Sequence, residues 1–287
     1  MNILNIVEKH LLEENNKKLN GYRKDEATGE WVFKPRSSHH PSAYNKCRRQ
    51  MYYQWTNEVV TDPPDGTGLL IMLMGTWIHD GFAKILKDIY GDDVENEVEF
   101  TYKDDELEFP IHGYFDDLIM GDDDLLHGVE LKTAFGRAIT NVKNSGKPRD
   151  DDEAQIKVYL SCNPEVSDFK LPYLGRDSMY RTEFNITMTE EEREIYKAKV
   201  VAKFKDIEES VKNKAIPNRD YTAVVKDGEV HAKIVHKTVT YKSDWQCSYC
   251  NYKSKCWEVE CSDFGIHLPK EKTIHLPEEK TELECEV

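Results

Sequence analysis

Three strand-like runs, Val94 to Tyr102, Phe109 to Met120 and Leu125 to Thr133, follow one another, separated by short stretches that carry the acidic turn-formers KDDE and GDDD. Connections this short fit tight hairpins, so the runs are predicted to form an antiparallel meander. Successive side chains of a strand point to opposite faces. In the last run, LLHGVELKT, Glu130 and Lys132 are therefore expected to leave the sheet together, with Val129 and Leu131 on the other side. An acid and an amine are thus held side by side at the end of a buried strand. With 54 acidic and 39 basic residues in the chain, such triplets also arise by chance, so the weight of this one depends on its surroundings.

The preceding run, HGYFDDLIM, places Asp116 three residues after Gly113. Asp117 points to the opposite strand face and is set aside. From Leu69 to Ile89 the apolar spacing is helical and puts Gly75 and His79 one turn apart, with the small glycine expected to admit close packing. After Thr133, residues 136 to 149 read as a loop. A helix, DEAQIKVYLSC, follows, in which Gln155 and Tyr159 share a face. Phe169 to Leu174 and Met179 to Thr187 read as a hairpin. Thr189 and Glu192 form a capping box for a helix with the stripe Tyr196, Val200, Phe204, Ile207 and Val211.

Cysteine supplies the second constraint. Three of seven, in the arrangement Cys247-x2-Cys250-x5-Cys256, crowd into ten residues. The N-terminal stretch MNILNIVEKHLLEENNKK suits an amphipathic helix better than an export signal, and Asn20 to Pro35 reads as a loop. No apolar run approaches the length that spans a bilayer, and a cytoplasmic location is expected. Metal ligation is then favoured over a disulfide framework. Cys47 lies upstream on a predicted helix with Tyr44, Met51 and Trp55, beside Arg48 and Arg49. Four thiolates suit zinc and iron-sulfur clusters alike, and Cys162 or Cys261 are alternatives to Cys47. Trp245, Tyr249, Tyr252 and Trp257 interleave the triplet and are read as a shield in preference to a base-stacking surface.

Gly75-x3-His79, Gly113-x2-Asp116, Glu130-x-Lys132 and Gln155-x3-Tyr159, in that order, resemble the RecB-like branch of the PD-(D/E)xK nucleases. With Cys47 upstream and the triplet downstream, the layout is similar to the iron-sulfur exonucleases of that branch: CRISPR-associated RecB-like exonucleases, AddB-type nuclease domains and phage homologues. The resemblance covers roughly residues 36 to 258. It implies an α/β restriction-endonuclease-like core with a central mixed sheet flanked by helices. An iron-sulfur subdomain would be made from N- and C-terminal segments. The implied segments are 1–68, supplying the first cysteine; 69–240, the nuclease core; 241–264, the cluster segment; and 265–287, a tail with the tandem octads IHLPKEKT and IHLPEEKT.

By the same resemblance Asp116 and Glu130 are metal carboxylates, His79 an additional ligand and Lys132 the catalytic lysine. Gln155 and Tyr159 orient the substrate or support the site, and Cys47, Cys247, Cys250 and Cys256 hold a 4Fe-4S cluster. Oxygen ligands suit Mg²⁺ or Mn²⁺, and an imidazole tilts the preference toward Mn²⁺. The implied function is a metal-dependent DNA exonuclease on single strands or ends, in recombination, repair or phage DNA processing. One alternative is a non-catalytic DNA-end-binding or assembly subunit. A weaker one is a zinc-stabilised RNA-processing or nucleotide hydrolase. No phosphate loop of the Gly-x4-Gly-Lys-Ser/Thr type is present, which disfavours autonomous ATP-driven helicase activity. A net charge of −15 opposes bulk electrostatic coating of nucleic acid. DNA is therefore expected to meet a local groove, a bound metal or a partner such as a helicase or recombination protein.

Overall fold

The computed structural model describes residues 3–226, 229–236 and 239–258. The tandem octads and Cys261 lie outside these residues. The chain divides into two compact units, one of Met1–Arg36, Lys46–Leu69 and Ser210–Val287, the other of Ser37–Asn45 and Leu70–Glu209.

The first unit begins with α1 (Ile3–Leu19), none of whose residues is buried. The stretch expected to be a loop forms instead a hairpin of β1 (Tyr22–Lys24) and β2 (Trp31–Phe33). Asp25 organises its turn: Oδ1 accepts the N–H groups of Ala27 and Thr28, and Gly29 takes a φ of 71°. The next helix, α2 (Arg48–Trp55), starts later than the Tyr44–Trp55 spacing predicts, and Cys47 stands at its N-cap.

A long helix, α3 (Gly66–Tyr90), leads into the sheet of the second unit. There β3 (Val94–Tyr102), β4 (Ile111–Met120) and β5 (Leu126–Val129) form the antiparallel meander. The third predicted run is interrupted. After β5, strand β6 (Lys132–Ala134) resumes the same line, and both lie parallel to β7 (Val166–Gly175), in one register beyond a shift between Leu126 and His127, with Val129 opposite Lys170 and Lys132 opposite Tyr173. Strand β8 (Arg181–Ile186) pairs antiparallel with β7. At the interruption the Glu130 N–H still reaches the Lys170 carbonyl at 3.0 Å, and the Leu131 N–H, on the other edge of the strand, donates to Asp116 Oδ2 at 2.8 Å.

Helices flank this mixed sheet. Phe82 and Leu86 of α3 pack on Val94, Ile119 and Val129. The expectation that no apolar run reaches membrane-spanning length needs correction, because Gly66–Asp93 is long and apolar enough by length and composition. Its sheet-facing Phe82 and Leu86, and the contact of His79 with Asp116 described below, are those of a helix covering a sheet. The expected loop at 136–149 contains α4 (Arg137–Ser145), which buries Ile139 and Val142. Glycines mark its two ends, Gly136 and Gly146, each at positive φ; the glycines that suggested a loop are the helix boundaries.

In α5 (Asp150–Cys162), Tyr159 packs on Phe100, Phe115 and Phe169. The capping box opens α6 (Glu190–Lys212): Glu192 N–H donates to Thr189 Oγ1 and Thr189 N–H to Glu192 Oε2, at 3.2 and 2.8 Å. Its stripe buries Val200, Phe204 and Ile207, and Arg193 is buried beside them. That guanidinium donates to the carbonyls of Leu160, Asn163, Val166 and Ser167, joining the end of α5 to the start of β7.

Gly128 is the residue that lets β5 and β7 meet, since a Cβ there would stand 2.3 Å from the Phe169 ring. We expect Gly128→Ala to cost about 1–3 kcal/mol through overpacking, read as a lowered Tm; an unchanged Tm would place Phe169 elsewhere. Gly75 differs. A Cβ there would meet Thr133 Oγ1 at 3.5 Å and Arg176 Nη1 at 3.9 Å, ordinary contacts, so the close packing expected at Gly75 is not what its smallness serves.

The first unit resumes beyond α6 with two hairpins, β9 (Val224–Lys226) with β10 (Glu229–His231) and β11 (Lys233–His236) with β12 (Val239–Lys242). Two short helices follow, α7 (Trp245–Ser248) and α8 (Lys253–Glu258).

Candidate active site and cysteine centre

Glu130 and Lys132 flank the break between β5 and β6, and α5 supplies the residue that joins them. Lys132 Nζ donates to Glu130 Oε1 at 2.8 Å and to Gln155 Oε1 at 3.1 Å. Gln155 Nε2 in turn donates to Glu130 Oε1 at 2.9 Å and lies 2.6 Å from the Tyr159 hydroxyl. The Tyr159 hydroxyl donates to the Tyr114 carbonyl at 2.9 Å, and its ring is 3% exposed. The closed ring of contacts fixes both charged groups. Of the two roles anticipated for Gln155 and Tyr159, these contacts are those of support.

Asp116 comes from β4 and is pinned by the Leu131 N–H, while His79 Nδ1 of α3 lies 3.2 Å from the same Oδ2. That hydrogen bond raises the His79 pKa, against burial. It also leaves Nε2 as the ring nitrogen for another ligand. Asp117, set aside on strand alternation, is 1% exposed and accepts from Asn96 Nδ2 at 2.5 Å. Burial pushes its carboxyl upward. A cleft of about 970 Å³ is bordered by His79, Asp116, Asp117, Asn96, Thr133 and Arg176, but not by Glu130 or Lys132. Asp116 is the link between the cleft and the Glu130–Lys132 pair, through its bond to Leu131.

Burial disfavours the Lys132 cation, yet Glu130, Asp152 and Asp116 outweigh it and its pKa is raised. Burial also raises the Glu130 carboxyl, to about 7, with Lys132 pulling it down. Among the described residues no three His, Cys, Asp or Glu side chains are spaced to hold an ion as they stand. The donor set nevertheless fits one: Glu130 Oε2 is buried with no hydrogen-bond partner among the described residues. A carboxylate oxygen in that state favours a proton or a cation.

The pH dependence follows from this competition. In the folded chain Glu130 keeps its proton above its ordinary 4.5, so ionising it costs stability, lost as pH rises from about 4.5 to about 7. A cation bound at Glu130 Oε2 would replace that proton and restore the stability. Added Mn²⁺ should therefore raise Tm little at about pH 6 and increasingly toward about pH 8, with the dependence lost in Glu130→Gln. A thermal-shift series reads this, and a shift equal at both pH values would remove Glu130 from the ligand set.

In the first unit Cys47, Cys247, Cys250 and Cys256 all border one small cavity of about 20 Å³. Local bonds shape it. Asp62 accepts from Ser254 N–H and Oγ at 2.9 and 2.6 Å, and the Asn251 carbonyl takes the N–H groups of Thr61 and Asp62. Arg48 pairs with Asp220 beside Cys47. Arg219 Nε donates to Cys256 Sγ at 3.2 Å, its Nη2 donates to the Cys256 carbonyl, and its guanidinium stacks on Trp257. Burial, reinforced by the neighbouring sulfurs, pushes the Cys247 and Cys250 thiols up to about 12. A cation among them would reverse that shift.

The four interleaved aromatics divide. Tyr252 and Trp257 are buried against the cysteines, whereas Trp245 and Tyr249 are 54% and 81% exposed, so shielding describes only the first pair. Cys162 is buried within α5.

No protein-family model matches this chain, and no curated protein sequence matches it. Among solved structures, the crystal structure of SSO0001 is 16% identical, with a TM-score of 0.50 over 86% of this chain and 94% of that one. That likeness is one of fold. An alkaline exonuclease (LHK-Exo) from Laribacter hongkongensis aligns less well, with a TM-score of 0.42 at 14% identity over 62% of this chain and 91% of its own. LHK-Exo in complex with dAMP gives 0.43 at 14% identity over 70% and 95%.

Proposed function

We propose that this chain is a divalent-metal-dependent deoxyribonuclease of the RecB-like PD-(D/E)xK type, degrading DNA from ends or as single strands. The observation that carries the reading is the half-buried Lys132 ammonium held between the buried Glu130 and Gln155, with Asp116 and His79 paired beside it. A Lys–Glu pair drawn out of water with a spare carboxylate oxygen is a poor way to gain stability. It suits a site that must stabilise charge that appears during a reaction.

Glu130, through Oε2, and Asp116 are the residues that would hold Mg²⁺ or Mn²⁺, with His79 as the further ligand. Such an ion supplies Lewis acidity toward the phosphate and activates water at neutral pH. Lys132 stays cationic and meets the negative charge that builds on the phosphorus oxygens as the water attacks. Gln155 keeps the Lys132 and Glu130 side chains in one geometry, and Tyr159 keeps Gln155 in place. The Leu131 N–H holds Asp116 toward the same point. The chain's own contribution is preorganisation, achieved before substrate arrives.

For the cysteines we propose a 4Fe-4S cluster on Cys47, Cys247, Cys250 and Cys256. The donor chemistry supports it: four thiols on one cavity, with Arg219 donating to one sulfur and the Tyr252 N–H to another. A role in recombination, repair or phage DNA processing, beside a helicase or recombination partner, belongs to the same proposal. The acidity of the chain supports dependence on a partner for DNA delivery.

The test is a time course on single-stranded DNA, end-labelled when linear and internally labelled when circular, with Mg²⁺ or Mn²⁺ and anaerobically purified protein. Loss of the linear strand alone is the expected result. Cleavage of circles would make it an endonuclease, and no cleavage of either would favour an end-binding subunit.

A further inference from the structure

Arg176 follows β7 directly and stands at the carboxyl ends of the parallel β6 and β7, where its N–H donates to the Ala134 carbonyl at 2.9 Å. Its side chain borders the same cleft as His79 and Asp116. Nη1 is fixed, donating to the Ile71 carbonyl of α3 at 2.6 Å. Nε is buried and has no hydrogen-bond partner among the described residues. Among the described residues no carboxylate pairs with this guanidinium, although Asp80, Asp88, Glu97, Asp116 and Asp117 all border the cleft. A guanidinium anchored at Nη1 on the edge of an open cleft is suited to an oxyanion arriving at its remaining N–H groups, because a charge-assisted hydrogen bond from a planar fork is among the strong ones.

Its location specifies which oxyanion. Arg176 Nη1 would be 3.9 Å from a Cβ at Gly75, and Gly75 precedes His79 by one turn, about 6 Å along the helix axis. The guanidinium therefore stands one helical turn from the metal-ligand candidate. A spacing of that order suits a neighbouring phosphate on the same strand. We propose that Arg176 binds a non-scissile backbone phosphate of the DNA strand and so positions the scissile one at Asp116 and Glu130. The inference rests on the nuclease reading above.

The experiment measures binding of a fluorescent single-stranded oligonucleotide by anisotropy across a salt series in Mg²⁺, in a Lys132→Ala background that keeps the strand intact. Removing one phosphate contact lowers the slope of log K against log salt by about 0.7 for single strands. Arg176→Gln should show that drop and bind about tenfold more weakly at fixed salt, with Tm recorded alongside. Arg176→Lys should keep the slope, because the charge remains, while losing part of the affinity with the fork. This split separates a phosphate contact from a merely structural residue, which would weaken binding without changing the slope. An unchanged slope in Arg176→Gln, with linear DNA still degraded by the otherwise unaltered protein, would overturn the inference and leave the nuclease reading standing. No cleavage and no binding by the unaltered protein would overturn both.

Discussion

Lys132→Ala is expected to lower the rate of DNA cleavage by about 10²- to 10³-fold or more, the loss that follows removal of one preorganised charge from a reacting centre. The protein should still fold. Glu130 would lose its partner, and breaking a buried pair commonly costs about 3–5 kcal/mol because a lone charge is left behind. Here the Glu130 carboxyl already titrates upward to about 7, so it can take a proton in place of the ammonium. Gln155 Nε2 continues to satisfy Oε1. A circular-dichroism spectrum and Tm close to those of the parent, together with absent turnover, would assign the lysine to the chemistry. Full cleavage by the folded variant would remove Lys132 from it, and collapse of the fold would call for Lys132→Met, which keeps the aliphatic stem.

Cys47→Ser is the second large effect, and it acts on the other unit. Anaerobically purified protein should be brown, and the variant should lose colour and stability together. A group held about a thousandfold above its Kd adds about 4 kcal/mol, which for a domain of this size is a Tm change on the order of 10 °C. The geometric basis is that Cys47 N-caps α2 and borders the same cavity as Cys247, Cys250 and Cys256. Colourless protein with one zinc per chain and the same loss of Tm would turn the centre into a zinc site. Retained colour would move the fourth ligand to Cys261 or Cys162, of which Cys162 does not border the cavity.

Features set by neighbours in the chain were legible without coordinates. The KDDE and GDDD turns required hairpins, and the meander follows. Thr189 and Glu192 are three residues apart and cap α6 reciprocally. Glu130 and Lys132, two apart, share a contact, and Gln155 and Tyr159, four apart, share a helix face. All of these are periodicities of two, three or four residues, which strand and helix geometry impose on any sequence.

Other features needed the fold, because their partners are distant in the chain. The Asp116 carboxylate meets the Leu131 N–H across the sheet, from 15 residues away in the chain. Reading Asp117 from strand alternation put it outside the site, whereas it is buried beside Asn96 on the border of the cleft. Arg193 and Arg176 carry no motif at all, and each becomes meaningful through carbonyls far away in sequence, Leu160 for one and Ile71 for the other. Sequence alone therefore determined which residues could share an element and a face. Tertiary structure decided which charges meet, which carboxylate oxygen and which guanidinium nitrogen are left without a partner, and where an open cleft lies, because those depend on packing between elements that no local spacing encodes.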